Sequence, residues 1–185
     1  LANRLRAIVV VRSRIAEDEM ARAAAEGVDQ YVVLGAGLDT FAYRNPFPAV
    51  RVFEIDHPAT QQLKRERLAA AGIGVSGAVT FVPCDFRHDS LPDALAAAGF
   101  DRSRPAVFAW LGVVMYLDTD EVLRTLRYIA SLPQGTSVVF DFAVPPGTLS
   151  WLQRMFYRAV LDRLAEQGEP WKSFFEPRTL TRQLE

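Results

Sequence analysis

The sequence predicts an α/β protein built on a doubly wound, mostly parallel sheet with helices on both faces. Short apolar segments alternate with amphipathic segments along the chain, and small or acidic residues follow most of the apolar ones. The apolar segments have the length of strands and lack polar alternation, which is typical of parallel strands buried on both faces. Strands that alternate with helices form parallel sheets through right-handed crossovers. Ligands of such sheets bind at the carboxyl ends of the strands.

The first part of the chain is predicted to contain a helix, two strands and a second helix, in that order. Apolar residues at helical spacing predict a helix over 13–26, which Gly27 ends. The segments 30–34 and 51–56 are predicted as strands. The segment 58–72 begins with proline and ends with glycine, as helices often do at these two positions.

The second half of the chain repeats the alternation. We predict strands over 79–85, 106–113 and 136–144, and helices over 91–99, 118–132 and 149–168. Both ends of the sequence fall within helical patterns, so we expect a fragment or a chain without its termini.

Composition narrows the possible classes of protein. With 21 basic and 22 acidic side chains and no basic stripe, the sequence argues against a nucleic-acid partner. Its apolar runs are too short to span a bilayer, and the N-terminal segment lacks the cleavage site of a signal peptide. Cys84 is the single cysteine, so no internal disulfide is possible, which fits a cytoplasmic protein.

A glycine-rich turn, "LGAGLDT", follows the first strand. Gly35 and Gly37, on either side of Ala36, allow a sharp turn and the close approach of a ligand. The turn is predicted to open a helix. Thr40 stands where the dinucleotide-binding pattern has its third glycine. A purely structural interpretation, in which Asp39 or Thr40 caps that helix, also remains open.

Acidic residues end the next two strands. Asp56 lies 19 residues after Gly37, close to the spacing of an acid that binds ribose hydroxyls. Glu54 shares a strand face with Asp56, so one would reach the ribose while the other sits deeper or beside it. Asp85 would accept a hydrogen bond from an adenine amino group, and Phe86 would stack or supply an amide. An Asp85 that only caps the following turn is an equal alternative.

The charge of Asp39 distinguishes between two nucleotide cofactors. A carboxylate about 4 Å from a phosphate charge costs about 4 kcal/mol at an effective dielectric constant of about 20. That cost corresponds to nearly three powers of ten in affinity. S-adenosylmethionine has an adenosine and a positive sulfonium but no phosphate. The sequence therefore favours S-adenosylmethionine over NAD, unless Asp39 faces solvent.

These residues resemble a known family. The stretches "VVLGAGLDTFAYR", "VFEIDHPATQQLKRERL", "DFRHDSLPDALAAAGFD" and "WLGVVMYLD" are similar to the leucine carboxyl methyltransferase-like family of S-adenosylmethionine-dependent O-methyltransferases, in its bacterial branch. The resemblance covers residues 12 to about 144 well and continues through "GEPWKSFFEP". It implies a Rossmann-like methyltransferase fold, truncated at the C-terminal end, and methylation of a carboxyl or hydroxyl group of a small molecule.

The resemblance also implies one domain over 1–185. An N-terminal helical segment would cover 1–29, a cofactor-binding core 30–144, and a helical lid or substrate segment 145–185. The cofactor site would comprise residues at strand ends and in the N-terminal segment, namely Arg12, Gly35, Ala36, Gly37, Asp39, Asp56, His57, Asp85, Phe86 and Leu111.

Two positions in this site depend on the family pattern. Arg12, with Arg14 as second choice, would bind the methionine carboxylate, because a guanidinium matches a carboxylate. Leu111 stands where some family members carry a glutamate that holds the cofactor's ammonium. In this chain the ammonium must therefore bind backbone carbonyls or another acid.

The acceptor side of the site is less defined. Tyr116 and Trp110 are candidates for its lining, although aromatic residues there are more often core. No catalytic residue and no metal ligand are assigned, and neither His57 nor His88 is nominated as a base. Two alternatives remain open, a nicotinamide-dependent oxidoreductase and a catalytically degenerate cofactor-binding domain.

Overall fold

The computed structural model of the chain describes residues 2–166, 168 and 170–184, without the side chains of residues 2–5. Leu1 of the predicted N-terminal segment and residues 167, 169 and 185 of the predicted C-terminal segment lie outside the described residues.

A single five-stranded parallel sheet forms the centre of the described structure. Its strands are β1 (Gln30–Leu34), β2 (Arg51–Asp56), β3 (Val79–Pro83), β4 (Val107–Trp110) and β5 (Ser137–Phe140). They lie in the order β3-β2-β1-β4-β5. The order reverses between β1 and β4, so a crevice opens at the carboxyl ends of these two strands.

Helices cover both faces of this sheet, which confirms the predicted fold class. They are α1 (Ala2–Ala25), α2 (Pro58–Ala70), α3 (Leu91–Ala97), α4 (Thr119–Ala130), α5 (Trp151–Glu166) and α6 (Pro177–Leu184). One apolar core joins α3, α4 and α6 to the sheet, and a second joins α1 to the opposite face. No helix in the described ranges is both long and apolar enough to cross a membrane.

Neighbouring residues of the central strands contribute to different cores because side chains alternate along a strand. In β1, Val32 packs toward α3 and α4, whereas Tyr31 and Val33 pack toward α1. Every residue of β1 is buried, as expected for a strand paired on both sides in a parallel sheet.

The prediction of a helix directly after the glycine turn is wrong. Only a three-residue 3₁₀ helix, Phe41–Tyr43, follows that turn. Pro46 and Pro48 lack the amide hydrogen that a continuing helix needs. The side chain of Asn45 instead accepts a hydrogen bond from Phe47 N at 2.9 Å and forms a local turn.

Several predicted boundaries also differ from the structure. The later strands are shorter than predicted, because the last pair between β4 and β5 is Trp110 with Phe140. After β4, Gly112 turns the chain with φ of +73°. Helix α1 begins well before residue 13. Its first turns expose Ile8 and Val10, and they fall within the helical pattern already noted at the start of the sequence.

Candidate functional site

Two adjoining cavities lie at the crevice between β1 and β4. One, of about 450 Å³, is lined by α1, the glycine turn and the loop after β4. The other, of about 700 Å³, extends past the ends of β2 and β3. Both are lined by Gly35, Gly37, Gly112 and Val113, so they form one continuous trough.

The glycine turn forms the floor of the trough. Gly35 and Gly37 adopt φ of +66° and +42°, in the left-handed region that favours glycine. The amides of Gly35 and Ala36 both donate to the carbonyl of Ile55, at 2.8 and 3.0 Å, which holds the turn against the end of β2. A Cβ on Gly35 would lie 2.3 Å from Cγ2 of Val113.

We expect Gly35→Ala to lower the free energy of unfolding by at least about 2 kcal/mol. The left-handed backbone contributes about 1–2 kcal/mol and the overlap with Val113 at least about 1 kcal/mol more. Chemical denaturation would measure the loss. Gly74→Ala is the control, because a Cβ there meets nothing within 4 Å. Equal stability of the two variants would contradict the prediction.

Asp56 connects the end of β2 to the glycine turn. Its Oδ2 accepts a hydrogen bond from Gly37 N at 2.5 Å, and its Oδ1 accepts one from His57 N at 2.7 Å. Each carboxylate oxygen can still accept another hydrogen bond. His57 also caps α2, since its Nδ1 accepts a hydrogen bond from Ala59 N at 3.2 Å.

Glu54 sits deeper than Asp56, as one of the two predicted alternatives had it. The side chains of Glu54 and Lys64 are 1% and 4% exposed, and Oε2 of Glu54 lies 2.8 Å from Nζ of Lys64. Tyr43 donates its hydroxyl to the same oxygen at 3.1 Å. Burial raises the pKa of Glu54, and the hydrogen bond from Lys64 opposes that rise. The sequence analysis missed Lys64, although its spacing from the buried Gln61 and Leu68 places all three on one helix face.

Asp85 and Phe86 line the larger cavity beyond Asp56. Oδ1 of Asp85 accepts hydrogen bonds from N and Nε of Arg87, at 3.1 and 3.3 Å. The hydrogen bond from the Arg87 amide is the main cause that lowers the pKa of Asp85. Asp85 therefore caps this turn, and adenine binding by Asp85 stays a prediction. Cys84 is fully buried, as expected for a core residue.

Arg12 lines the opposite end of the trough, and Asp141 pairs with its guanidinium. Nη1 of Arg12 donates to Oδ2 of Asp141 at 2.8 Å, and Gly112 N donates to Oδ1 at 2.5 Å. Nε of Arg12 is buried without a hydrogen-bond partner. Arg14, the second choice, does not line the cavity that Arg12 lines; it is 73% exposed and pairs with Asp18 on the surface of α1. Asp141 was given no role from the sequence, because it fell inside the predicted strand 136–144, whereas β5 ends at Phe140.

Asp39 lies just before the 3₁₀ helix and lines the smaller cavity. Its Oδ1 accepts a hydrogen bond from Phe41 N at 2.8 Å, and Thr40, the N-cap of that helix, makes no side-chain cap hydrogen bond. A role for Asp39 in cofactor binding stays a prediction. Leu111 lines the same cavity. The neighbouring Arg44 is paired with Glu17 of α1.

The far wall of the larger cavity comes from the segment before α6. Lys172 N donates to the carbonyl of Met115 at 2.7 Å, and Ser173 Oγ donates to the carbonyl of Val114 at 2.9 Å. Tyr116 lines this cavity, as predicted. Trp110 does not line it, because its side chain is fully buried in the core beneath the sheet's end.

The strand order and the position of the trough define a Rossmann-like α/β protein with a ligand-binding crevice at the point where the strand order reverses. The model of the family described as "Leucine carboxyl methyltransferase" matches residues 1–130. The chain belongs to this family, which confirms the resemblance found in the sequence.

Curated relatives and solved structures agree with this assignment. The chain is 39% identical over 167 residues to "Putative S-adenosyl-L-methionine-dependent methyltransferase YktD" of Bacillus subtilis (strain 168), covering 86% of this chain and 53% of that protein. It is 41% identical over 125 residues to a protein of the same description from Mycobacterium bovis (strain BCG / Pasteur 1173P2), covering 67% of this chain and 40% of the relative. The chain thus spans about half the length of the curated relatives it matches.

Two crystal structures share the fold. A "putative methyltransferase" from Thermobifida fusca YX superposes with a TM-score of 0.62 at 24% identity, covering 94% of this chain and 65% of that one. A DUF574 family protein from Streptomyces avermitilis MA-4680 gives a TM-score of 0.57 at 19% identity, covering 92% and 67%. At these identities the similarity establishes the fold alone.

Proposed function

We propose that the protein is an S-adenosylmethionine-dependent O-methyltransferase that acts on a carboxyl or hydroxyl group of a small molecule. The arrangement of charges along the trough carries this proposal. A carboxylate, Asp56, lies at the end of β2 where a ribose would bind, and a guanidinium, Arg12, lies at the other end where an amino acid would bind. The family and its S-adenosylmethionine-dependent relatives support the same function.

The residues of the trough fit this cofactor. The glycine turn leaves its floor without side chains, so a nucleoside can approach the backbone. Asp56 keeps free acceptor positions for ribose hydroxyls, and the buried Nε of Arg12 lacks a partner that a carboxylate would provide. We assign Asp85 and Phe86 to the adenine and His57 to the edge of the ribose site.

Catalysis by this chain would rest mainly on orientation. The cofactor supplies a methyl group that its sulfonium has already activated. The protein's contribution is to hold the acceptor oxygen in line with that methyl group at about 3–3.5 Å. A carboxylate acceptor needs no general base, whereas a hydroxyl acceptor would need one. We further propose that the segment 145–185, with the wall around Lys172, borders the acceptor within a single domain.

Calorimetric titration tests the choice of cofactor. We expect S-adenosylmethionine and S-adenosylhomocysteine to bind, and NAD to bind at least about a hundredfold more weakly. The 35–50 segment offers no α-helix N-terminus for a pyrophosphate, and a carboxylate, Asp39, lines the cavity there. The opposite ranking would overturn the proposal in favour of the oxidoreductase.

An acceptor panel separates the enzyme from a degenerate domain. Carboxylic acids and phenols of small molecules would be incubated with purified protein and S-adenosylmethionine labelled in its methyl group. Transfer of label to any of them would support the enzyme. Tight cofactor binding without transfer to any member would instead favour a cofactor-binding domain without catalysis.

A further inference from the structure

We propose that Asp141 binds the cofactor's amino group, in addition to orienting Arg12. This inference rests on the proposed function, since it assigns a residue to one end of the same trough. It also identifies the acid that the uncharged Leu111 does not provide.

The position of Asp141 follows from contacts across the fold. Its carboxylate lies between α1 and the loop after β4, because Arg12 Nη1 and Gly112 N bind one oxygen each, at 2.8 and 2.5 Å. Both partners line the smaller cavity. A Cβ on Gly112 would lie 2.6 Å from Arg12 Nη2, so this glycine lets the guanidinium pack directly on the backbone. The Asp141 side chain remains 28% exposed, which leaves room for a further donor.

The charges at this end complement an amino acid zwitterion. A free α-amino acid group presents a carboxylate and an ammonium a few bonds apart, and the Arg12–Asp141 pair presents the opposite charges side by side. Among the acids of the described structure, Asp141 is the one that pairs with Arg12. Of the other two acids near this end, Asp39 accepts the amide of Phe41, and Glu17 pairs with Arg44.

Three ligands separate the possible roles of Asp141 in calorimetry. S-adenosylmethionine carries both the ammonium and the carboxylate, its decarboxylated analogue keeps only the ammonium, and 5′-methylthioadenosine has neither. For Asp141→Asn we expect binding of the first two to weaken by about tenfold to a hundredfold, since each loses a charged hydrogen-bond partner. Binding of 5′-methylthioadenosine should change less than about twofold.

The remaining outcomes overturn the inference in recognisable ways. If the decarboxylated analogue is unaffected while S-adenosylmethionine weakens, Asp141 acts only through Arg12. If all three ligands weaken equally, or none does, Asp141 makes no specific contact with the amino group. Failure of the wild type to bind any of the three would refute the proposed function as well. Asp120→Asn, at an exposed position of α4, is the matched control, and thermal unfolding checks that both variants fold.

Discussion

Replacing Asp56 with alanine is expected to weaken S-adenosylmethionine binding by about a hundredfold or more. The variant removes a charged acceptor for the ribose hydroxyls, and each such hydrogen bond contributes about 1.5–3 kcal/mol. A tenfold change in affinity corresponds to about 1.4 kcal/mol, so the loss of two such hydrogen bonds lowers the affinity by at least about two powers of ten. Asp56→Ala also leaves Gly37 N without its acceptor, so the glycine turn keeps only the hydrogen bonds to the Ile55 carbonyl as its attachment to the end of β2.

Calorimetry on a small set of variants would isolate the contribution of the charge. Asp56→Asn keeps an oxygen acceptor for the turn, so we expect a smaller loss, about tenfold. Because the ribose is common to both ligands, 5′-methylthioadenosine should weaken as much as S-adenosylmethionine in either variant. Asp93→Ala, an exposed aspartate of α3, is the control. An Asp56→Ala protein that is folded and binds S-adenosylmethionine normally would refute the ribose assignment.

The second large effect is expected at the buried pair of Glu54 and Lys64. Lys64→Met keeps most of the side-chain volume but leaves the Glu54 carboxylate buried without its cation. Breaking a buried pair in this way costs about 3–5 kcal/mol, which lowers Tm by roughly 10 °C at about 2–4 °C per kcal/mol. Arg67→Met, at an exposed position of the same helix, should change stability by less than about 0.5 kcal/mol.

Two further measurements test the cause of this loss. Adding Glu54→Gln to Lys64→Met removes the unpaired charge and keeps an acceptor for Tyr43, so at least half of the lost stability should return. A double variant as unstable as Lys64→Met would contradict the electrostatic explanation.

The stability lost in Lys64→Met should also increase as the pH rises. Burial raises the pKa of Glu54 above its ordinary value of 4.5, and Lys64→Met removes the hydrogen bond that opposes this rise. In the variant the folded state then keeps a proton that the unfolded state releases. Its stability is therefore fully present below pH 4.5 and falls as pH rises through the folded pKa, by up to about 1.4 kcal/mol per unit. Denaturation at pH 5 and pH 8 should reveal the larger deficit at pH 8.

The strands at the centre of the sheet were predictable from local sequence. β1 and β2 begin and end where the predicted strands do, because both are paired on two sides and their central residues are buried. The edge strand β5 was overestimated, since its pairing depends on where β4 ends. The missing helix after the glycine turn was foreseeable only from Pro46 and Pro48.

The candidate site was predictable as far as strand ends determine it. Gly37 and Asp56 meet because parallel strands end at the same edge of a sheet. Their spacing predicted that both belong to one site, but it did not predict the hydrogen bond between them. The bond between Arg12 and Asp141 joins residues 129 positions apart, and no local pattern indicates such a contact. Lys64 required knowledge of which face of α2 the sheet would bury.

The wall around Lys172 has a consequence for how acceptor preference can diverge among related proteins. Main-chain amides and the Ser173 hydroxyl attach this wall to the loop after β4, while the Lys172 side chain is 39% exposed at the mouth of the trough. A substitution at position 172 would therefore alter the charge met by an incoming molecule without displacing the backbone. If the wall borders the acceptor as we propose, position 172 is one where acceptor preference can change at little cost to folding.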